Sequence, residues 1–199
     1  MKLIDNQLGG TTPMDIIIKF PDSKDSEDDE EFDELLEDNE ESGQSNWFTT
    51  EKINKIKYVH DYLDSNEYIG KVLSLASSIR VAEIVNDDKE LNSLEMSLLY
   101  KQLPEEVKDI AVNPYLSIKD NEARINVRIL DSNSNLRRAD LIEKIRADLN
   151  NDAYLNSEVI TITGILLLYN NMLQSLFDSQ IKSLGFVMLI IASMFLILF

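Results

Sequence analysis

Residues 115–130 read YLSIKDNEARINVRIL and contain the clearest two-residue periodicity in the chain. In the second half of this stretch polar residues alternate with four apolar ones, Ala123, Ile125, Val127 and Ile129. Such alternation is typical of a strand with one buried face, and residues 120–122 between the two halves favour a turn. We therefore predict a β-hairpin whose longer strand packs one face against a core.

Two strands and a helix are predicted upstream of this hairpin. Residues 14–20 (MDIIIKF) alternate in the same way, and residues 68–75 predict a second strand in which Gly70 marks an edge or a bulge. Between them, Thr49 or Thr50 is a candidate N-cap for an amphipathic helix. Its apolar residues recur at helical spacing: Ile53, Ile56, Val59, Tyr62 and Leu63.

The remaining elements complete a βαββαβ order. Residues 79–108 predict a helical insertion interrupted near Pro104, residues 137–151 an amphipathic helix, and residues 158–164 (EVITITG) a final strand. The helix at 137–151 turns four apolar side chains inward: Leu141, Ile142, Ile145 and Leu149. We therefore predict an α+β domain over residues 14–164 with the ferredoxin-like, split-βαβ arrangement. Residues 1–13 lead the chain into its first strand.

The net charge of −17 is concentrated in one acidic run. Residues 22–41 hold thirteen Asp and Glu and one Lys, a charge of −12. A block of like charges repels itself, so we predict a disordered acidic insertion at residues 22–46, after which Trp47 and Phe48 anchor the chain to the domain again. The acidic balance also argues against a nucleic-acid partner, because a phosphate backbone requires a basic face.

The chain closes with sixteen residues, LGFVMLIIASMFLILF (184–199), that carry no charge. A helix that crosses a bilayer needs about 20 apolar residues, so we predict a transmembrane helix that starts at about residue 184 and is truncated. The alternative is a buried core helix, but the rest of the chain is too small to surround it. Residues 165–185 continue the helical period upstream, so we predict one long helix over 165–199 that joins domain and membrane.

Few residues in the sequence are candidates for catalysis or for binding a phosphate or a metal ion. His60 is the only histidine, and no nucleophile motif accompanies it, so we predict a surface or half-buried helix residue. The segment LGGT (8–11) precedes a strand, whereas a phosphate-binding loop leads into a helix, so we interpret it as a tight turn. The acidic run lacks the glycine and the ordered alternation of a Ca²⁺-binding loop. With no cysteine in the chain, disulfides and thiolate metal sites are excluded. We predict no catalytic, cofactor-binding or metal-binding residues and no enzymatic activity.

Two segments carry a family resemblance. LIDNQLGGTTPMDIIIKFP (3–21) and ITGILLLYNNMLQSLFDSQIKSLG (162–185) resemble the resistance-nodulation-division (RND) superfamily, and within it the MMPL and hopanoid exporters. The resemblance implies a periplasmic porter domain, with GGTTP pointing to the second large loop, and the next transmembrane helix of the bacterial inner membrane. The chain would then be a fragment of a proton-driven efflux transporter of lipids or other hydrophobic molecules. Its implied partners are the rest of that transporter and the lipid bilayer.

The sequence leaves two alternatives to a transporter. A tail-anchored acidic interaction protein with no transport role would place the domain in the cytoplasm, the opposite topology. A membrane-tethered enzyme would require a nucleophile or metal cluster, which the sequence does not offer. The N-terminal MKLIDNQLGG has no apolar core, so it is not a secretory signal peptide. No proton-relay residue is implied, because residues 184–199 contain no ionisable side chain.

Overall fold

The computed structural model describes residues 2–21, 47–87, 89–133 and 136–198 of the 199-residue chain. This part of the chain is mixed α+β, as predicted, and it contains an antiparallel five-stranded sheet. In chain order its elements are α1 (Lys2–Leu8), β1 (Thr12–Lys19), α2 (Thr50–Asp64), β2 (Ile69–Leu73), α3 (Leu75–Val85), α4 (Ser93–Gln102), α5 (Glu105–Ala111), a 3₁₀ turn (Asn113–Tyr115), β3 (Leu116–Ser117), β4 (Glu122–Ile129), α6 (Arg138–Asn150), a second 3₁₀ turn (Ala153–Leu155), β5 (Val159–Thr163) and α7 (Ile165–Leu198). The predicted acidic insertion, residues 22–46, lies outside the described residues.

The sheet has the strand order β2-β4-β1-β5, and β3 pairs with β4 beside the end of β2. Each of these pairs is antiparallel. The register places Ile16 of β1 between Ile125 of β4 and Ile162 of β5, so the buried side chains of three strands share one face. The alternation predicted for β4 is confirmed, since its four apolar side chains are buried.

Helices α2 and α6 supply apolar side chains to the same core. Their buried aliphatic residues are the ones that the helical spacing indicated: Ile53, Ile56, Val59, Leu63, Leu141, Ile142, Ile145 and Leu149. On the opposite face the sheet is polar. Arg124 donates two hydrogen bonds to the carboxylate of Asp15, at 3.0 and 2.9 Å, and Asn126 donates a third at 2.7 Å. The core therefore lies on one side of the sheet only.

The helical insertion differs from its prediction. Residues 79–108 were expected to form one stretch broken at Pro104, whereas the structure has three helices, of which the first begins at Leu75. Ser74 caps α3 by accepting a hydrogen bond from the amide of Ala76, and this cap ends β2 two residues before the predicted limit. The break near Pro104 is confirmed. A second break follows α3, where Asp87 has φ = 56°.

The prediction that Gly70 marks an edge or a bulge of the sheet is confirmed. The register of β2 shifts between Ile69 and Lys71, which places a bulge at Gly70. A Cβ atom on Gly70 would lie 2.6 Å from the carbonyl carbon of Gly9, so the close approach of two backbones requires glycine here. The first arm of the hairpin is shorter than expected, because β3 has only two residues.

Trp47 and Phe48 anchor the chain in front of α2. Both are buried, with 4% and 5% of their surface exposed. The indole ring packs edge-on against Phe20 at 5.8 Å and against Phe48 at 5.5 Å, and Phe48 also packs against Tyr100 of α4 at 5.0 Å. The predicted anchoring is therefore confirmed, and these aromatic contacts connect the sheet to the insertion helices.

Candidate functional site

The last helix, α7, leaves the domain almost as soon as it begins. Leu166 is buried and Leu167 packs against the core, but beyond them no described side chain of α7 is buried. The helix has 34 residues, a length of roughly 50 Å at about 1.5 Å per residue, compared with about 30 Å for the hydrocarbon of a bilayer. Within the described part of the chain, α7 alone is long and apolar enough to span a membrane. The predicted continuity of this helix from residue 165 is confirmed.

The chain enters and leaves the sheet at the same end. β1 and β5 are antiparallel neighbours, so the start of β1 lies beside the end of β5. One residue, Gly164, separates β5 from α7 and has φ = 109°. A Cβ atom on Gly164 would lie 3.2 Å from the Cα of Met14. The junction is therefore short and tightly packed against the first strand.

The predicted turn at LGGT is also confirmed. α1, which the sequence did not predict, ends at Leu8. The next residue, Gly9, has φ = 66°, and the amide of Gly10 donates to the carbonyl of Asp5 at 2.8 Å. This bond is that of a Schellman cap. A Cβ atom on Gly10 would lie 2.8 Å from the carbonyl of Arg128 in β4. Glycine is therefore required to bring α1 close to the sheet.

Asp5 connects α1 to the loop that follows β4. It is 1% exposed, and its carboxylate accepts hydrogen bonds from the hydroxyl of Thr11 at 2.7 Å and the amide of Ser132 at 2.8 Å. Burial alone would raise the pKa of Asp5, but the hydrogen bonds from Ser132 and Thr11 outweigh it and hold that pKa below its usual value. Asp5 is therefore an ionised, buried acceptor that fixes the first helix in place.

The loop that follows β4 is also bound to α6, through an ion pair between Asp131 and Arg138. Asp131 accepts two hydrogen bonds from the guanidinium of Arg138, at 2.7 and 2.6 Å. This pairing raises the pKa of Arg138 above its usual value, and Tyr169 on α7 contributes to the increase. A bidentate ion pair is geometrically specific. It holds the guanidinium of Arg138 in one orientation, close enough to Tyr169 in the first turns of α7 to interact with it electrostatically.

Helices α3, α4 and α5 enclose an apolar groove. A cavity of about 410 Å³ is lined almost entirely by aliphatic and aromatic side chains, and Phe48 contributes to its wall. An adjoining cavity of about 420 Å³ shares five residues with it: Ala82, Val85, Leu91, Leu99 and Leu103. The two cavities form one elongated surface feature, which we call the α3–α5 groove. Several of its aliphatic side chains are exposed, among them Val85, 82% of whose surface is exposed.

His60 is buried, so the prediction of a surface or half-buried residue was wrong. Only 5% of its surface is exposed, and its Nδ1 lies 2.9 Å from the hydroxyl of Ser74. Burial, followed by the charge of Arg80, lowers the pKa of His60. A Ser–His contact also occurs in hydrolases. Here Ser74 is fully buried and its oxygen accepts from the start of α3, so the pair connects α2 to α3.

A buried ion pair was not predicted. Lys55 of α2 donates to Glu158 at 2.7 Å, and the side chains of these residues are 7% and 1% exposed. Burial alone would lower the pKa of Lys55, but its bonds to Glu158 and Glu51 outweigh this effect and raise it. Glu158 precedes β5, so the pair connects α2 to the strand that continues into α7. The partners are 103 residues apart, and no local pattern could have paired them.

The sequence also raised metal binding and the acidic run as candidates for function. Among the residues that the structure describes, no group of three or more His, Asp or Glu is arranged to hold a metal ion. The acidic run lies outside the described residues. We consider α7 and the α3–α5 groove further, because both expose apolar side chains.

Comparisons with known proteins do not assign the chain to a family. No protein-family model, curated protein or solved structure matches the chain.

Proposed function

We propose that this chain forms the porter domain and an adjoining membrane helix of a proton-driven exporter of the RND type. Its cargo would be lipids or other hydrophobic molecules, and the domain would lie on the periplasmic side of the bacterial inner membrane. The other porter domain and membrane helices would be its partners. The observation that carries this proposal is the connection of β5 to α7 through one residue, Gly164. A movement of α7 would act directly on the sheet.

The strand order supports the ferredoxin-like arrangement that the proposal requires. β1 and β2 are both antiparallel to β4, which lies between them, and α2 connects them. β4 and β5 are both antiparallel to β1, which lies between them, and α6 connects them. Each half therefore has the pattern of a split βαβ unit. A fold of this kind does not determine function, so the support for export comes from α7 and the groove.

The position of the two ends of the sheet supports a domain attached to a membrane on one side. The chain reaches β1 through the turn at Gly9 and leaves β5 through Gly164, at the same end of neighbouring strands. A second membrane segment before α1 would therefore lie close to α7. The α3–α5 groove adds an apolar surface that a hydrophobic cargo could contact.

A second candidate is an acidic interaction protein that α7 anchors in the membrane, with the domain in the cytoplasm. The α3–α5 groove favours it, because an exposed apolar groove also suits a protein partner. The two candidates differ in topology. In intact spheroplasts, added protease is expected to cut at residues 22–46 if the domain is periplasmic. Cleavage only after lysis would contradict the exporter and favour the second candidate.

Export itself is tested in cells that carry or lack the gene. Ser175 is an exposed residue of α7 outside the predicted membrane segment. Proline there removes a helical hydrogen bond and kinks the helix, at a cost of about 3 kcal/mol. The deletion strain is expected to accumulate a hydrophobic dye such as Nile red, and Ser175→Ala but not Ser175→Pro is expected to restore its proton-dependent efflux. Equal efflux with and without the gene would contradict the proposal.

A further inference from the structure

We propose that the α3–α5 groove binds a basic amphipathic helix of a partner protein. This proposal goes beyond export and does not depend on it, because it rests on the surface of the domain alone.

The shape and lining of the groove suit a helix. Its walls are themselves helices, and Val81 and Val85 lie one turn apart on α3 while Met96 and Tyr100 lie one turn apart on α4. The apolar face of an amphipathic helix presents side chains at the same spacing, which is the basis of helix-in-groove recognition. Val85 and Val81 are 82% and 62% exposed, so burial of their surface is available to a ligand.

The charge around the groove selects a basic partner. Residues 75–111, which include the three helices, contain eight Asp or Glu and four Lys or Arg, a net charge of −4. Among the described residues that line the groove, Glu95 is the one that carries a charge. An apolar floor beside this carboxylate, within a segment of net negative charge, favours a ligand with apolar side chains on one face and Lys or Arg on the other. It disfavours acidic segments and anionic lipid headgroups.

The acidic run strengthens this selection. It ends at Glu41, seven residues before Phe48, which contributes to the wall of the groove. Only seven positions of sequence therefore separate the groove wall from the end of a run with a charge of −12. A negative charge of this size attracts a basic ligand most strongly at low salt.

The test uses the full chain in nanodiscs of zwitterionic lipid. The probe is an 18-residue peptide of leucine and lysine with all leucines along one helical face, and its control has glutamate in place of lysine. Trp47 is the only tryptophan and its ring contacts Phe48, so its fluorescence reports on the groove. We expect saturable binding of the lysine peptide, at least about tenfold tighter than that of the glutamate peptide and weaker at high salt. Empty nanodiscs correct for binding to lipid.

Matched variants locate the binding site. Val85→Asn removes an apolar contact in the groove. Its control is Val159→Asn, which makes the same substitution at an exposed valine on β5, outside the groove. We expect Val85→Asn to weaken binding of the lysine peptide by about tenfold and Val159→Asn to leave it unchanged. Equal affinity for the two peptides, or equal binding by the two variants, would overturn the proposal. So would a concentration-dependent dimer that Val85→Asn dissociates, since a second copy would then cover the groove.

Discussion

Asp15 of β1 lies directly opposite Thr163 of β5, at the point where the chain leaves the sheet for α7. β1 is also paired along its whole length with β4, so it occupies an interior position of the sheet. A displacement of α7 would therefore act, through one glycine and a strand ladder, on the interior of the domain. A flexible linker between domain and helix would not transmit such a movement.

The junction is expected to be intolerant of a side chain. Gly164→Ala would place a Cβ 3.2 Å from the backbone of Met14 and Asp15, in a residue whose φ is +109°. Non-glycine residues in such conformations cost about 1–3 kcal/mol. We expect the free energy of unfolding to fall by an amount in this range, measured by urea denaturation with Trp47 fluorescence.

Gly185→Ala is the matched control for the junction. Gly185 lies in α7, and a Cβ there would have no atom within 4 Å. Alanine in a helix interior is favoured over glycine by about 0.5–1 kcal/mol, so this variant is expected to be neutral or slightly stabilising. If both variants unfolded at the same urea concentration, Gly164 would not be the strained junction described here.

The buried pair of Lys55 and Glu158 is expected to show strong coupling. Removing one partner of a buried pair leaves an uncompensated charge and costs about 3–5 kcal/mol, whereas apolar replacement of both is often neutral. We expect Lys55→Met and Glu158→Met each to destabilise the domain, and the double variant to be more stable than the sum of the two single effects predicts. The measurement is a double-mutant cycle in urea. Additive effects would mean that the pair does not interact in solution.

His60 is expected to make stability depend on pH. Burial lowers its pKa below the usual 6.5, so the unfolded chain binds the proton more readily than the folded one. The stability that neutral His60 contributes to the folded chain is therefore fully present above pH 6.5. This stability is lost as the pH falls from there towards the folded-state pKa. We expect the free energy of unfolding to decrease between about pH 7 and pH 5.5. His60→Gln should remove most of this slope, and an unchanged slope would assign it to other groups.

The sequence was most informative where the pattern was local. The alternation of β4, the buried stripes of α2 and α6, the turn at Gly9 and the continuity of α7 all follow from periodicity or from the conformational freedom of glycine. The helix α1 was missed because it is short and carries little apolar periodicity. Its stability depends on Asp5, whose acceptor role is completed by Ser132 from a distant loop.

Features that depend on tertiary packing were not predictable. His60 was placed at or near the surface because a lone histidine on a helix gives no indication of Ser74 behind it. The α3–α5 groove requires the break after Val85, and only the arrangement of three separate helices leaves valines exposed around a cavity. Periodicity reports which residues are apolar, but it does not report whether a neighbouring helix covers them.

The central claim is that α7 runs without a break from the domain into the bilayer. The chain contains no cysteine, so single cysteines can be introduced along Ile165–Leu198 without background and spin-labelled in nanodiscs. Collision with oxygen and with a water-soluble nickel complex then measures the depth of each label. We predict a helical period of about 3.6 residues up to Gly185, with water accessibility on the face of Asp178 and Lys182, and lipid exposure on all faces from Leu184 onward. A break in the period between Ser175 and Gly185, or water accessibility along residues 186–198, would contradict the account.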